Sequence, residues 1–130
     1  MNAPLPLPAL DEIRAHEAEM IEIRHRIHAH PELAYEERAT ADLVAERLER
    51  WGYEVHRGLG ITGVVGTLKA GKSTRRIGLR ADMDALPIKE TSGKPWASQV
   101  LGKMHACGHD GHTTMLLAAA RHLAATRRFD

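Results

Sequence analysis

The period of the hydrophobic residues changes at Gly52, and this switch limits the chain to folds that mix helices with strands. From Leu10 to about His28, Ile13, Met20, Ile21, Arg24 and Ile27 recur near helical spacing, which predicts one amphipathic helix ending before His30-Pro31. A second helix is predicted over Tyr35 to Trp51, with Thr40, Val44, Arg47, Leu48 and Trp51 on one face and Gly52 as its stop. Beyond Gly52, residues 53–57, 63–70 and 75–82 are short, rich in Val, Ile and Leu, and separated by glycines, and they read as strands. Residues 83–104 carry Pro87, Gly93, Pro95 and Gly102 and read as a long loop, a kind that is usually functional. From Gly111 to about Thr126, His112, Met115, Leu116, Ala119, Ala120 and Leu123 form the apolar face of a last helix. The order is that of part of an α/β sheet domain, preceded by a flexible, proline-rich lead over residues 1–9.

Composition removes several function classes. A length of 130 residues allows one domain. With 18 Lys plus Arg against 17 Asp plus Glu, the net charge of +1 offers no footprint for nucleic acid or a membrane surface. No run approaches the roughly 20 apolar residues of a membrane helix, and the N-terminal ten lack the basic start of a secretory signal. A reducing, cytoplasmic location is the expectation, with small molecules or proteins as partners and no nucleic acid or membrane. The nine histidines and single cysteine point instead to metal chemistry.

Residues 66–74, GTLKAGKST, satisfy the phosphate-loop pattern through Gly66, Gly71, Lys72 and Ser73. That chemistry needs a helix to open after the loop, so that its first amides and dipole hold the phosphates. Here TRRIGLRAD follows, with strand character, and the segment is read as a charged turn and not as a nucleotide site.

Residues 105–112, HACGHDGH, hold three histidines, a cysteine and an aspartate. Cys107 and His109, two apart around a glycine, can turn toward one point, and thiolate plus imidazole suits zinc or another borderline divalent ion. The dipole of the helix that follows favours the thiolate. Asp110 is placed to cap that helix or to orient a ligand imidazole, and His105 and His112 are candidate neighbours. Two ligands do not complete a site, so the others must come from elsewhere. Asp82 and Asp84 end the third predicted strand two residues apart, so both carboxylates would point to one side if the strand persists. There they could align a ligand or take part in acid-base work, or merely cap the loop and neutralise Arg80.

HPELAYEE (30–37), LRADMDALPIKE (79–90) and MHACGHDGHTTMLLAAA (104–120), in this order, resemble the N-terminal part of the M20 metallopeptidase family. The similarity is to the branch of hippurate hydrolase, N-acyl-amino-acid amidohydrolases and plant auxin-conjugate hydrolases, over roughly residues 13–128. The resemblance implies a three-layer α/β/α zinc-peptidase-like catalytic domain, incomplete at the C-terminus, to which residues 10–130 contribute the N-terminal part. It also implies two divalent metal ions, zinc or manganese before nickel or cobalt, that activate water for attack on the amide of an N-acyl amino acid. Cys107 and His109 match metal ligands, and Asp84 matches a catalytic-support carboxylate. Asp82 stands where other branches place a metal-binding histidine, and His28, His30 and Glu32 receive no role beyond packing or a rim position. The family's glutamate pair, its two further histidine ligands and its lid domain have no counterpart in this sequence, so the chain alone is expected to be inactive. The alternative is a non-catalytic module of the same ancestry, kept for metal binding or subunit association, with a homo-oligomer compatible with either reading.

Overall fold

The computed structural model describes residues 8–130. Helices α1 (Pro8–Arg14), α2 (Glu17–Ala29) and α3 (Arg38–Arg50) precede strands β1 (Glu54–Leu59) and β2 (Gly63–Thr67), and α4 (His109–Thr126) follows the long loop. The single helix expected over residues 10–28 is thus two. Its apolar stripe has no large residue between Ile13 and Met20, and the chain turns at Ala15 and His16, after which both pieces pack on α4. Helix α1 begins at Pro8, two residues before the expected start, and residues 1–7 of the expected lead lie outside the described residues.

The buried face of α2 is Met20, Ile23, Ile27 and Ala29, while Ile21 is exposed. It packs with Leu43 and Leu48 of α3 and Leu117 and Ala120 of α4 into one core, which Trp51, Tyr53, Val55 and Val64 extend. Tyr53 donates its hydroxyl to the carbonyl of Ala120 at 2.8 Å, and Arg121 of α4 pairs with Glu19 of α2. Helix α3 starts three residues later than expected and stops as expected. Gly52 takes φ +85°, and its amide and that of Tyr53 bond the carbonyls of Glu49 and Leu48.

The PEL segment settles how α3 begins. Helix α3 has no capping side chain at its own N-cap, Glu37. Glu32 supplies the acceptor instead: its carboxylate takes the amides of Ala39 and Thr40 at 2.9 and 2.8 Å and the Thr40 hydroxyl at 2.7 Å. Two of the helix's free amides and its positive end are satisfied by one charge. The carbonyl of Glu32 also accepts the amide of Ala85 at 2.7 Å, which ties this segment to the residue after Asp84.

Strands β1 and β2 form an antiparallel hairpin with Glu54 opposite Thr67 and His56 opposite Val65, and the register slips between Arg57 and Leu59. At Gly63 a Cβ would lie 2.4 Å from the Leu59 carbonyl oxygen, so only glycine lets the two backbones approach there. The third expected strand, residues 75–82, is not a strand among the described residues. Its side chains have strand character, but its backbone has no ladder partner, and Ile77 and Leu79 are 90% and 60% exposed. A strand is defined by its neighbour, and composition alone does not supply one. No helix opens after Lys72. Instead its amide and that of Ser73 hold the Asp130 carboxylate at 2.6 and 3.0 Å. In residues 83–104 only isolated bridges form, Leu33 with Ala85 and Leu86 with Met104.

Replacing Glu32 by Ala should cost about 1–2 kcal/mol of stability through loss of the α3 cap. Thermal denaturation should show a midpoint lower by several degrees, with no comparable change for exposed Glu46→Ala.

Candidate metal centre

Gly108 places the candidate ligands. It takes φ +82°, a conformation in which a side chain is strained, and no atom lies within 4 Å of where its Cβ would be, so backbone geometry alone demands glycine. The turn leaves Cys107 exposed and sets His109 as the first residue of α4, with the His112 amide bonding the Gly108 carbonyl at 3.1 Å.

His109 is held by Asp84. Its Nδ1 lies 2.9 Å from both the Oδ1 and the backbone carbonyl of Asp84. Two acceptors on Nδ1 fix the proton there and leave Nε2 with its lone pair, the form in which an imidazole binds a metal. The donor chemistry of Cys107 and His109 therefore fits a borderline divalent ion. Among the described residues no three His, Cys, Asp or Glu side chains form a metal-holding group. His112 is an exposed neighbour, its ring 5.6 Å from that of His109.

The two aspartates of the ADMD segment do not act as a pair. With no strand to align them, Asp82 turns to Arg80 at 2.8 Å, and that guanidinium holds its carboxyl below the ordinary range, while Asp84 turns to His109. The Asp82 carbonyl accepts the Thr113 hydroxyl at 3.0 Å, a bond that fastens this segment to α4.

Asp110 takes a different place from that expected. Its side chain hydrogen-bonds neither candidate ligand, and beyond the neighbouring Gly111 amide its partners lie on α2. It is 1% exposed, and its Oδ2 receives Arg24 Nε at 3.2 Å and faces His28 Nδ1 at 3.0 Å. Burial opposes its charge, but the hydrogen bonds from His28, Arg24 and the Gly111 amide outweigh this and hold its carboxyl below the ordinary range. His28 in turn faces Glu90 Oε1 through Nε2 at 3.2 Å. Arg24 and His28 flank the buried stripe of Met20, Ile23 and Ile27 on α2, Arg24 exposed and His28 half-buried, and two polar residues four apart beside an apolar stripe are the one sign in the sequence that marks them. His105 is 4% exposed, and neither of its ring nitrogens has a partner among the described residues.

Residues 78–130 match the model of peptidase family M20/M25/M40. The hippurate hydrolase of Campylobacter jejuni is 54% identical over 116 residues, which cover 89% of this chain and 30% of that protein. Thermostable carboxypeptidase 2 of Saccharolobus solfataricus is 49% identical over 111 residues, 85% of this chain and 28% of that protein. The crystal structure of a Bacillus subtilis protein described as a dinuclear metal-binding peptidase of the M20 family superposes with a TM-score of 0.82 at 38% identity, covering 88% of this chain and 32% of that one. The mixed helix-and-strand architecture is thus that of part of an M20 peptidase domain, and its relatives are hydrolases. The chain belongs to the M20 family and spans 23% to 30% of the length of the curated relatives it matches.

His105 sets a pH dependence for stability. Burial holds its imidazole below the ordinary value, against the pull of the Asp110 charge and with the help of His28 and His109. The unfolded chain then binds a proton below about pH 6.5 that the folded chain refuses. Stability from this group is complete above that pH and is lost as pH falls toward the folded value. Denaturant titrations from neutral to acidic pH should therefore give a shallower stability decline for His105→Gln than for the native chain.

Proposed function

We propose that this chain is the part of a metal-dependent amidohydrolase that supplies Cys107 and His109 as metal ligands and Asp84 as the residue orienting one of them. The carboxylate of Asp84 on His109 Nδ1 carries the reading, because it leaves Nε2 free to bind a metal, with the exposed Cys107 thiol two residues earlier in the chain. The dinuclear description of the Bacillus subtilis relative supports two metal ions, and the thiolate favours zinc, with manganese, nickel or cobalt as the other candidates. When bound, such ions polarise the amide carbonyl and make water nucleophilic near neutral pH.

What the chain's own residues do is bind and orient. Cys107 presents its exposed thiol just ahead of α4. Asp84 fixes the tautomer of His109 and prevents its ring from turning. The substrate is an N-acyl amino acid of the hippurate type, a reading supported by the Campylobacter relative's name, and its partners are such small molecules. The domain contribution of residues 10–130 is the N-terminal part of the catalytic unit. Alone, these residues bind metal but do not turn over substrate, because the base that would take the water's proton is worth roughly 10²–10⁴ in rate. No helix among the described residues is long and apolar enough to cross a membrane.

Zinc titration against a chromogenic chelator tests the reading. Asp84→Asn should weaken binding by about 10- to 100-fold, and Cys107→Ser should abolish it at micromolar metal. Equal affinity in all three chains would reject the ligand assignment. Chelator-sensitive hydrolysis of hippurate by the 130-residue chain would reject the inactivity.

A further inference from the structure

The residue with the most unexplained chemistry is His28. It has no part in the candidate metal centre, yet both its ring nitrogens face carboxylates: Nδ1 lies 3.0 Å from Asp110 Oδ2 and Nε2 lies 3.2 Å from Glu90 Oε1. The three side chains are 13%, 1% and 4% exposed, so this is an interior chain of polar groups, not a surface ion pair. Asp110 is the second residue of α4, immediately after His109. Glu90 belongs to the loop that begins at Asp84, and its other oxygen accepts the Ser98 amide at 2.6 Å, which cinches residues 90–98 into one turn of chain.

We infer that His28 is a positioning residue for the candidate metal centre, a bridge from α2 that locks the start of α4 to the loop carrying Asp84. The inference rests on the metal-ligand reading of Cys107 and His109. Its physical basis is that His109 and Asp84 must stay within hydrogen-bond distance although they lie on different segments. The direct links between those segments near the site are the Thr113 hydroxyl on the Asp82 carbonyl, the contact between His109 and Asp84 itself, and the paired backbone bonds of Leu86 with Met104 just ahead of the turn. The path from Glu90 through His28 to Asp110 is a further link, and the one among them that runs through α2. His28 sits one turn beyond Arg24, which binds the same Asp110 oxygen, and one residue beyond Ile27, which is 3% exposed.

Neither alternative for this histidine suits the geometry. A packing residue would not need both nitrogens met by carboxylates. A ligand would need a free nitrogen, and His28 has none. Removing the bridge should leave the helices in place, because the core of Met20, Ile23, Leu43, Leu48 and Leu117 does not involve it, while loosening the angle between His109 and its orienting carboxylate.

The test uses the full chain as the native form, His28→Ala, His28→Gln and Glu90→Gln, with cobalt(II) as the probe. Far-ultraviolet circular dichroism first establishes which variants are folded, and Glu90→Gln, which cuts only the loop side of the bridge, serves if both His28 variants unfold. We expect cobalt affinity to fall by about tenfold or more, with the thiolate-to-cobalt absorption band shifted or weakened. Amide hydrogen exchange, measured without metal, should accelerate at residues 85–90 and 109–113 but not in α3. Glutamine, with one donor end, should recover part of the loss seen with alanine. Unchanged affinity, spectrum and exchange in a folded variant would overturn the inference. If the native chain shows no thiolate-to-cobalt band, the ligand reading falls, and exchange alone then decides whether His28 locks the two segments: unchanged exchange overturns the lock, and accelerated exchange at both sites upholds it.

Discussion

A carboxylate buried to 1% exposure is the constraint on which the rest of this structure depends. Removed from water without partners, the charge of Asp110 would cost several kcal/mol or drive the group to take up a proton. Arg24, His28 and the Gly111 amide prevent this, and two of the three belong to α2. The cost of that charge therefore dictates how α2 and α4 lie on each other, and the apolar contacts of Ile23, Ile27, Leu117 and Ala120 fill in around it. One of its oxygens, Oδ1, finds no partner among the described residues, as do both ring nitrogens of His105, so the polar interior continues past the three groups that hold Asp110.

From there the arrangement passes outward to the surface. Asp110 fixes the start of α4, Gly108 turns the chain ahead of it, and Cys107 and His109 emerge on either side of that turn. The opposing segment arrives by another route. Glu32 caps α3 with its side chain and accepts the Ala85 amide with its carbonyl, so one residue seats a helix and brings Asp84 to where His109 can meet it. The placement of the candidate ligands is thus a late consequence of helix capping and of charge burial.

How much of this could be read from the sequence follows from the range of each interaction. Helix α3 was legible because its signals are local: an apolar stripe and a glycine stop at Gly52. The cluster that holds the candidate ligands stood out because Cys107 and His109 lie two residues apart. The division between α1 and α2 was not, since no proline or glycine marks it and only packing on α4 makes it. The roles of Glu90 and His28 were hidden by distance along the chain, 62 residues from His28 to Glu90 and 82 to Asp110, across which no local pattern operates. Residues 75–82 failed for the opposite reason: their composition announced a strand, but strand formation belongs to a pair, and their backbone has no ladder partner here. Asp110 misled in a third way, because its position at a helix start suggested a cap while the need to neutralise it drew it inward.

The turn that displays Cys107 also defines a chemical exposure. It is the only cysteine in the chain, it is open to solvent, and it lies two residues before the start of α4. Any disulfide formed among copies of this chain must therefore join two molecules through the same atom that serves as candidate ligand. Oxidation would remove the sulfur from coordination and create a covalent dimer in one event, and further oxidation to sulfinic acid would be irreversible without a dedicated repair enzyme. A bound metal would shield that sulfur, so metal occupancy and redox history are two readings of a single atom.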